Sequence, residues 1–277
     1  LAAFTPPWGT VLTHAEAHIE RDECGAPEFF TGGAKLSLVS GPEAKVAPDA
    51  LRARLAWFGP EVHWVQPRVV SITQATERGA VYSPAEVAAL ATIAREHRLA
   101  LHMDGARFAN AVAALGCEPA DITWRAGVDV LSLGAIKNGG MNAEAVVFFE
   151  RAFESQERLI DFEHRRKRAG HLACKGRYFA AQLLGLYAGD AWRRNAARAN
   201  GFAARIGAAA ERFLTVHVAT NQVFVALGAA RIERLTAQGF KFYPWGPEGS
   251  GEARFVVSWD TPETAVDALC AALRALD

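Results

Sequence analysis

The chain is short of several things, and each shortage removes a class of function. None of its apolar runs approaches the ~20 residues that a membrane-spanning helix needs, and its opening residues lack the charged, apolar and small-residue zones of a secretory leader. An excess of one charge is missing too. With 30 basic against 30 acidic residues there is no electrostatic footprint for nucleic acid or an anionic membrane surface. Cysteine is sparse: Cys24, Cys117, Cys174 and Cys270 are scattered without metal-site spacing, which points to free thiols in a cytoplasmic protein rather than a disulfide framework. No GxGxxG follows a strand. GPEGSG, from Gly246 to Gly251, lacks the strand-to-helix setting, and Gly134 to Gly139 does not match a nucleotide-binding phosphate loop. A nicotinamide-type enzyme therefore ranks last, and no metal triad is visible.

What is present is a large apolar fraction, 51% over 277 residues, enough for one large domain or a large plus a small one. The most informative stretch runs from Leu99 to Glu150. It reads as strand, helix, short helix, strand, tight turn and strand. Asp104 stands at the carboxyl end of the apolar run Leu99 to Met103, and Lys137 just past the run Val128 to Leu133. In an open α/β sheet, ligands bind outside the carboxyl ends of the strands, so both side chains can converge on one crevice. Taken singly, an Asp at a strand end is an ordinary cap and a Lys in a glycine-rich turn an ordinary solvated charge. Together they suit a cofactor that needs an amine anchor and a carboxylate partner, as pyridoxal phosphate does. Arg107 follows Asp104 by about one helical turn, and Gly134 and Gly139 bracket the lysine.

HMDGARFANA, then a strand, then SLGAIKNG and EAVVFF resembles the threonine aldolase group of the β-eliminating lyase family, pyridoxal-phosphate enzymes of the aspartate aminotransferase fold. HAEAHIERDECGAPEFFTGGAKL, VHWVQPRVVSITQATERGAVYSP and GEARFVVSWDT extend the likeness over most of the chain. The resemblance implies an α/β chain of fold type I, a mixed, mostly parallel sheet flanked by helices, with a smaller α+β domain after it. The expected division is residues 1–163 for the cofactor-binding domain and 164–277 for linker helices and the small domain. It also implies that a portion carrying the phosphate-holding turn and a substrate-side serine precedes Leu1.

Residue by residue, the resemblance implies Lys137 as cofactor anchor, Asp104 at the ring nitrogen and His18 stacked flat on the ring. Arg254 is implied at the substrate carboxylate, assisted by Arg107, which also touches the cofactor. His63, ahead of the strand Val69 to Thr73, is a second proton-transfer candidate beside His18. Lys167, in the basic run HRRKR, is a candidate for the phosphate at a subunit boundary. Gln74, Thr76 and Glu77 are expected to line the pocket.

The implied reaction is cleavage of L-threonine or a related β-hydroxy-α-amino acid, such as phenylserine, to glycine and an aldehyde. The protein is then a cytoplasmic homodimer or homotetramer taking a small amino-acid substrate. The alternative is another pyridoxal-phosphate lyase or aminotransferase of the same fold, or a catalytically impaired fragment of one.

Further along, helices are expected over Pro48 to Phe58, from Ser83 to about His97, over Arg151 to Asp161 and over Asp190 to Phe213. In the small domain, strands are expected near Val216, at Val223 to Leu227, Phe240 to Tyr243 and Phe255 to Trp259. Helices are expected at Ala229 to Gln238 and from Pro262 onward.

Overall fold

A computed structural model describes residues 1–154 and 156–277. The larger sheet has six strands: β1 (Gly9–His14), β2 (Lys35–Val39), β3 (Gln66–Thr73), β4 (Ala100–Gly105), β5 (Val130–Leu133) and β6 (Ala145–Phe148). Their spatial order is β2-β1-β3-β4-β5-β6. All neighbouring pairs are parallel except β5 with β6. Every residue of β1 is buried, as expected of parallel strands covered on both faces. The connection from β1 goes to one side and the chain then crosses back to β3 on the other. The carboxyl ends of β1 and β3 therefore form the switch point at which open sheets bind ligands.

Helices α1 (His18–Arg21), α2 (Ala26–Thr31), α3 (Pro48–Leu55), α4 (Pro84–Glu96) and α5 (Phe108–Leu115) surround this sheet. Leu51 and Leu55 of α3 and Leu90 and Ile93 of α4 are buried in its core, each apolar side chain contributing about 1.5–3 kcal/mol. Helix α4 starts on the expected capping box: the Ser83 hydroxyl accepts from the Glu86 N–H at 3.2 Å, and the Glu86 carboxylate accepts from the Ser83 N–H at 2.7 Å.

The charged helix expected at Arg151 begins later. Glu150–Glu154 is a 3-10 segment, and α6 spans Gln156–Arg168, because the Arg151 side chain is drawn back to Asp129 ahead of β5. Then come α7 (Arg177–Tyr187) and α8 (Ala191–Ala209). Helix α8 joins two cores: Trp192 and Ala196 belong to the large-sheet core, whereas Ala199, Phe202, Ala203 and Ile206 pack in the second.

That second core lies under an antiparallel sheet of β7 (Gln222–Ala226), β8 (Tyr243–Trp245) and β9 (Glu252–Val256), in the order β7-β9-β8, with α9 (Ala229–Ala237) and α10 (Glu263–Arg274). Two strands differ from expectation. Phe242 lies outside the ladder and packs its ring on Phe255 at 4.9 Å, so β8 starts at Tyr243. Strand β9 starts at Glu252, which Arg78 and Thr215 hold, and ends at Val256, after which Ser258 turns onto Thr261. Near Val216 only an isolated bridge forms, from Leu214 to Val225. Among the described residues no helix is long and apolar enough to cross a membrane, and all four cysteines are free.

Candidate active site

The loops after β1, β3, β4 and β5 open on one crevice. Asp104 pairs with Thr73 and Ser132 on the neighbouring strands, and its Oδ1 accepts the Ala106 N–H at 2.9 Å. Arg107 follows as the residue capping α5. Its Nε is buried without a hydrogen-bond partner. Burial and the charge of Arg254 lower its pKa to about 10, against the opposing pull of Glu77 and Asp104. Arg254 sits in mid-β9, between Phe224 and Tyr243 in register. Its guanidinium stacks on Trp245 at 4.2 Å, and its Nε is also buried and unpartnered. Burial pushes its pKa down as well. Two guanidiniums, the charge of one felt by the other and each with an Nε lacking a hydrogen-bond partner, suit the binding of an anion.

Lys137 lies on a 3-10 turn, Ile136–Asn138. Desolvation, then the charge of Arg107, lowers its pKa, while Asp104 and Glu144 pull the other way. The turn is held from every side. The Tyr187 hydroxyl donates to the Gly134 carbonyl at 2.8 Å, and Asn138 donates to the Trp192 carbonyl at 2.9 Å. Asn195 donates to the Asn138 carbonyl at 2.9 Å, and the Gln182 amide oxygen takes the N–H groups of Met141, Asn142 and Ala143 at 3.0–3.1 Å. A Cβ on Gly134 would meet the Ala106 backbone at 2.8 Å, so the glycine lets the lysine turn press against the Asp104 loop.

His18 opens α1, and its N–H donates to Glu77 Oε1 at 2.7 Å, tying the β1 loop to the β3 loop. Its ring nitrogens face Glu23 at 2.8 Å and Asp22 at 3.6 Å, so the flat ring faces are what it offers a planar ligand. Glu77 is buried, takes the Thr73 hydroxyl at 2.9 Å and leaves Oε2 unpartnered. Desolvation raises its pKa. Its loop also reaches the small sheet. Arg78 grips Glu252 with two bonds at 3.0 and 2.8 Å, Thr220 donates to the Gly79 carbonyl, and Gln222 donates to that of Thr76.

The fold thus brings together Lys137, Asp104, Arg107, Arg254 and His18. It does not bring the other two candidates there within one chain. His63 is exposed in the turn ahead of β3, at the amino end of the sheet, because the full length of β3 separates it from Thr73. Lys167 is exposed on α6, whose Arg165 reaches the Phe30 carbonyl at the end of α2, also on the amino side. Sequence reading passed over Glu144, Gln182 and Tyr187, whose roles are contacts to backbone that no motif encodes.

The family described as Beta-eliminating lyase matches residues 1–230. The chain belongs to the β-eliminating lyase family. It is 42% identical over 280 residues to the low specificity L-threonine aldolase of Pseudomonas sp. strain NCIMB 10558, covering all of this chain and 79% of that protein. It is 44% identical over 265 residues to the protein of the same name from Pseudomonas aeruginosa, covering 94% and 74%. A solved Leishmania major threonine aldolase superposes with a TM-score of 0.89 at 28% identity, covering 99% of this chain and 79% of that one. A probable N-succinyldiaminopimelate aminotransferase from Thermus thermophilus, at TM-score 0.69 and 17% identity, shares the fold. This β-eliminating lyase therefore has the type I fold expected of it, a mostly parallel sheet flanked by helices.

Proposed function

We propose that this β-eliminating lyase cleaves L-threonine or a related β-hydroxy-α-amino acid into glycine and an aldehyde, in the cytoplasm, with pyridoxal phosphate held on Lys137. The observation that carries the reading is the convergence of Lys137, Asp104, Arg107 and Arg254 at the carboxyl end of the sheet, with two arginine Nε atoms left unpartnered. That donor set fits the group: an amine of lowered proton affinity for its aldehyde, a carboxylate for its ring nitrogen, and guanidiniums for anionic oxygens. The names of the similar Pseudomonas proteins support the same reaction.

When bound, the cofactor supplies an electron sink for the charge left at the substrate Cα. The protein's own residues do the rest. Arg254, kept flat by Trp245, takes the substrate carboxylate in a two-bond fork, and Arg107 lies beside it. This grip fixes the substrate's rotation and so which bond at Cα stands perpendicular to the ring. Asp104 is the carboxylate that would face the ring nitrogen. His18 would lie over the ring. Of the two histidine candidates it is the one at this crevice; with Nε2 on Glu23 and Nδ1 towards Asp22, it takes the β-hydroxyl proton only after Nε2 leaves Glu23.

The division into residues 1–163 and 164–277 belongs to this reading, with α8 as the joint. So does assembly into a dimer or tetramer, supported by the exposed rings of Trp8, Phe29 and Trp57. In such an assembly His63 and Lys167 reach a crevice only from a second copy.

The test is to add pyridoxal phosphate and L-threonine to the purified protein and measure acetaldehyde and glycine. Equimolar products support the reading. Ammonia with a keto acid, or an amino-group transfer product, would replace it with the lyase or aminotransferase alternative.

A further inference from the structure

We infer that Glu144 is a positioning residue for Lys137: it clamps the lysine turn and supplies the counter-charge that sets the amine's proton affinity. The inference deepens the reading of Lys137 as the cofactor anchor and rests on it. Glu144 leads into β6, and its carboxylate accepts the N–H groups of Ala135 and Ile136 at 3.1–3.3 Å. Among the described residues no Lys, Arg or His lies within 4.0 Å of it.

As a cap alone the carboxylate is poorly used. Backbone N–H groups bond oxygen at about 2.7–3.2 Å, and these contacts sit at or just past the long end of that range. The opposite side of the same turn is already held by the Tyr187 hydroxyl, a neutral group. What Glu144 adds is a negative charge that acts on the lysine from beyond ion-pair distance.

That charge has a specific task. The groups acting on Lys137 are Arg107 at the start of α5 and Arg254 on β9, both of which drive its proton off, and Asp104 on β4 and Glu144 ahead of β6, both of which retain it. Tyr187 on α7 faces Glu144 and is itself pushed up to about 12 by burial, so it stays neutral. Asp104 also acts on Glu77, Arg107 and Glu144, and in the proposed function it serves the ring nitrogen. Glu144 is left as the carboxylate on the turn side; burial pushes its own pKa up, while the Ile136 and Ala135 N–H groups and then Lys137 draw it back towards the charged form. An anchor that must hand its carbonyl carbon to a substrate amine and later recover it needs an amine neither permanently charged nor permanently neutral. The two arginines are required for substrate, so the compensating charge has to come from the turn side.

The test uses the cofactor-free protein, so its outcome does not depend on which reaction is catalysed. Trace acetylation with acetic anhydride across pH 7 to 11, read by peptide mass spectrometry, gives the titration midpoint of Lys137 with the surface lysines as internal controls. Glu144→Gln preserves the acceptor geometry and removes the charge. Its Lys137 midpoint moves to lower pH, by several tenths of a unit to about one unit. Glu144→Ala, which removes clamp and charge together, moves it the same way. Tyr187→Phe, which removes a clamp without a charge, leaves it in place.

A Glu144→Gln midpoint superimposed on wild type overturns the inference, as does an equal shift in Tyr187→Phe, which would reduce the effect to loosening of the turn. If wild type fails to cleave threonine while the Glu144→Gln shift is present, the proposed reaction falls and the pairing stands. Intact cleavage with no shift leaves the reverse.

Discussion

At the amino end of the large sheet, buried Asp129 takes the Leu101 N–H at 2.7 Å and both Nε and a terminal nitrogen of Arg151, at 2.5 and 2.9 Å, and Arg151 spends its remaining reach on the Leu99 carbonyl. At the carboxyl end, Asp104 takes one backbone N–H, Arg107 and Arg254 leave Nε unpartnered, and Lys137 is held at a lowered proton affinity. Both ends carry acid and guanidinium. One set is satisfied within itself, and the other keeps buried nitrogens without partners and opposed charges. Unmet electrostatic demand, rather than charge, distinguishes a site from a brace.

The largest contrast is expected from Lys137→Met. Cleavage should fall to the uncatalysed background, while the cofactor-free protein becomes more stable at pH 7. The sign follows from the lowered lysine pKa: keeping the amine charged costs the folded state at neutral pH, and the cost is relieved as pH rises through the lowered value toward 10.5. Thermal melts of both proteins should therefore diverge at pH 7 and converge in alkali. A Lys137→Met protein less stable than wild type at pH 7 would make the lysine part of the brace.

Asp129→Ala should do the opposite. Removing one partner of a buried pair costs about 3 kcal/mol, toward the lower end here because Arg151 is about a third exposed. The urea midpoint should drop while kcat per folded molecule holds. Between these lies Arg254→Lys, which keeps the charge and loses the fork. KM for threonine should rise ~30-fold or more, with cofactor affinity little changed.

The smallest effect is expected from His63→Ala, within about threefold of wild-type kcat, because a proton-transfer role would cost ~10²–10⁴-fold. A loss of that larger size would place the His63 of a second copy in this crevice and make the amino end part of the site.

The sequence was legible where chemistry and period coincide. Asp104 and Lys137 could be assigned to one crevice because each ends an apolar run, and parallel strands present their carboxyl ends together. Ser83 and Glu86 announced α4 through a cap that is local by nature. What stayed hidden is set by tertiary distance. His63 precedes a strand by three residues, and only the direction of β3 shows that this puts it on the far side of the sheet. Arg254 is singled out by motif, but its stacking on Trp245 depends on β8, whose start is decided by Phe242 packing out of the ladder. Glu144 acts through backbone N–H groups eight and nine positions back, and any sequence can supply those.

The loop from Thr76 to Gly79 is fastened at both its neighbours, by Glu77 to α1 and by Arg78 and Gly79 to the small sheet. A carboxylate clamp on a freely swinging lid would have to be ordered by each incoming substrate, and that lost entropy would be subtracted from its affinity. Here β9, which carries Arg254, is pinned to the same loop that holds the backbone of His18. The substrate meets a frame already set, and what remains for it to order is its own rotation.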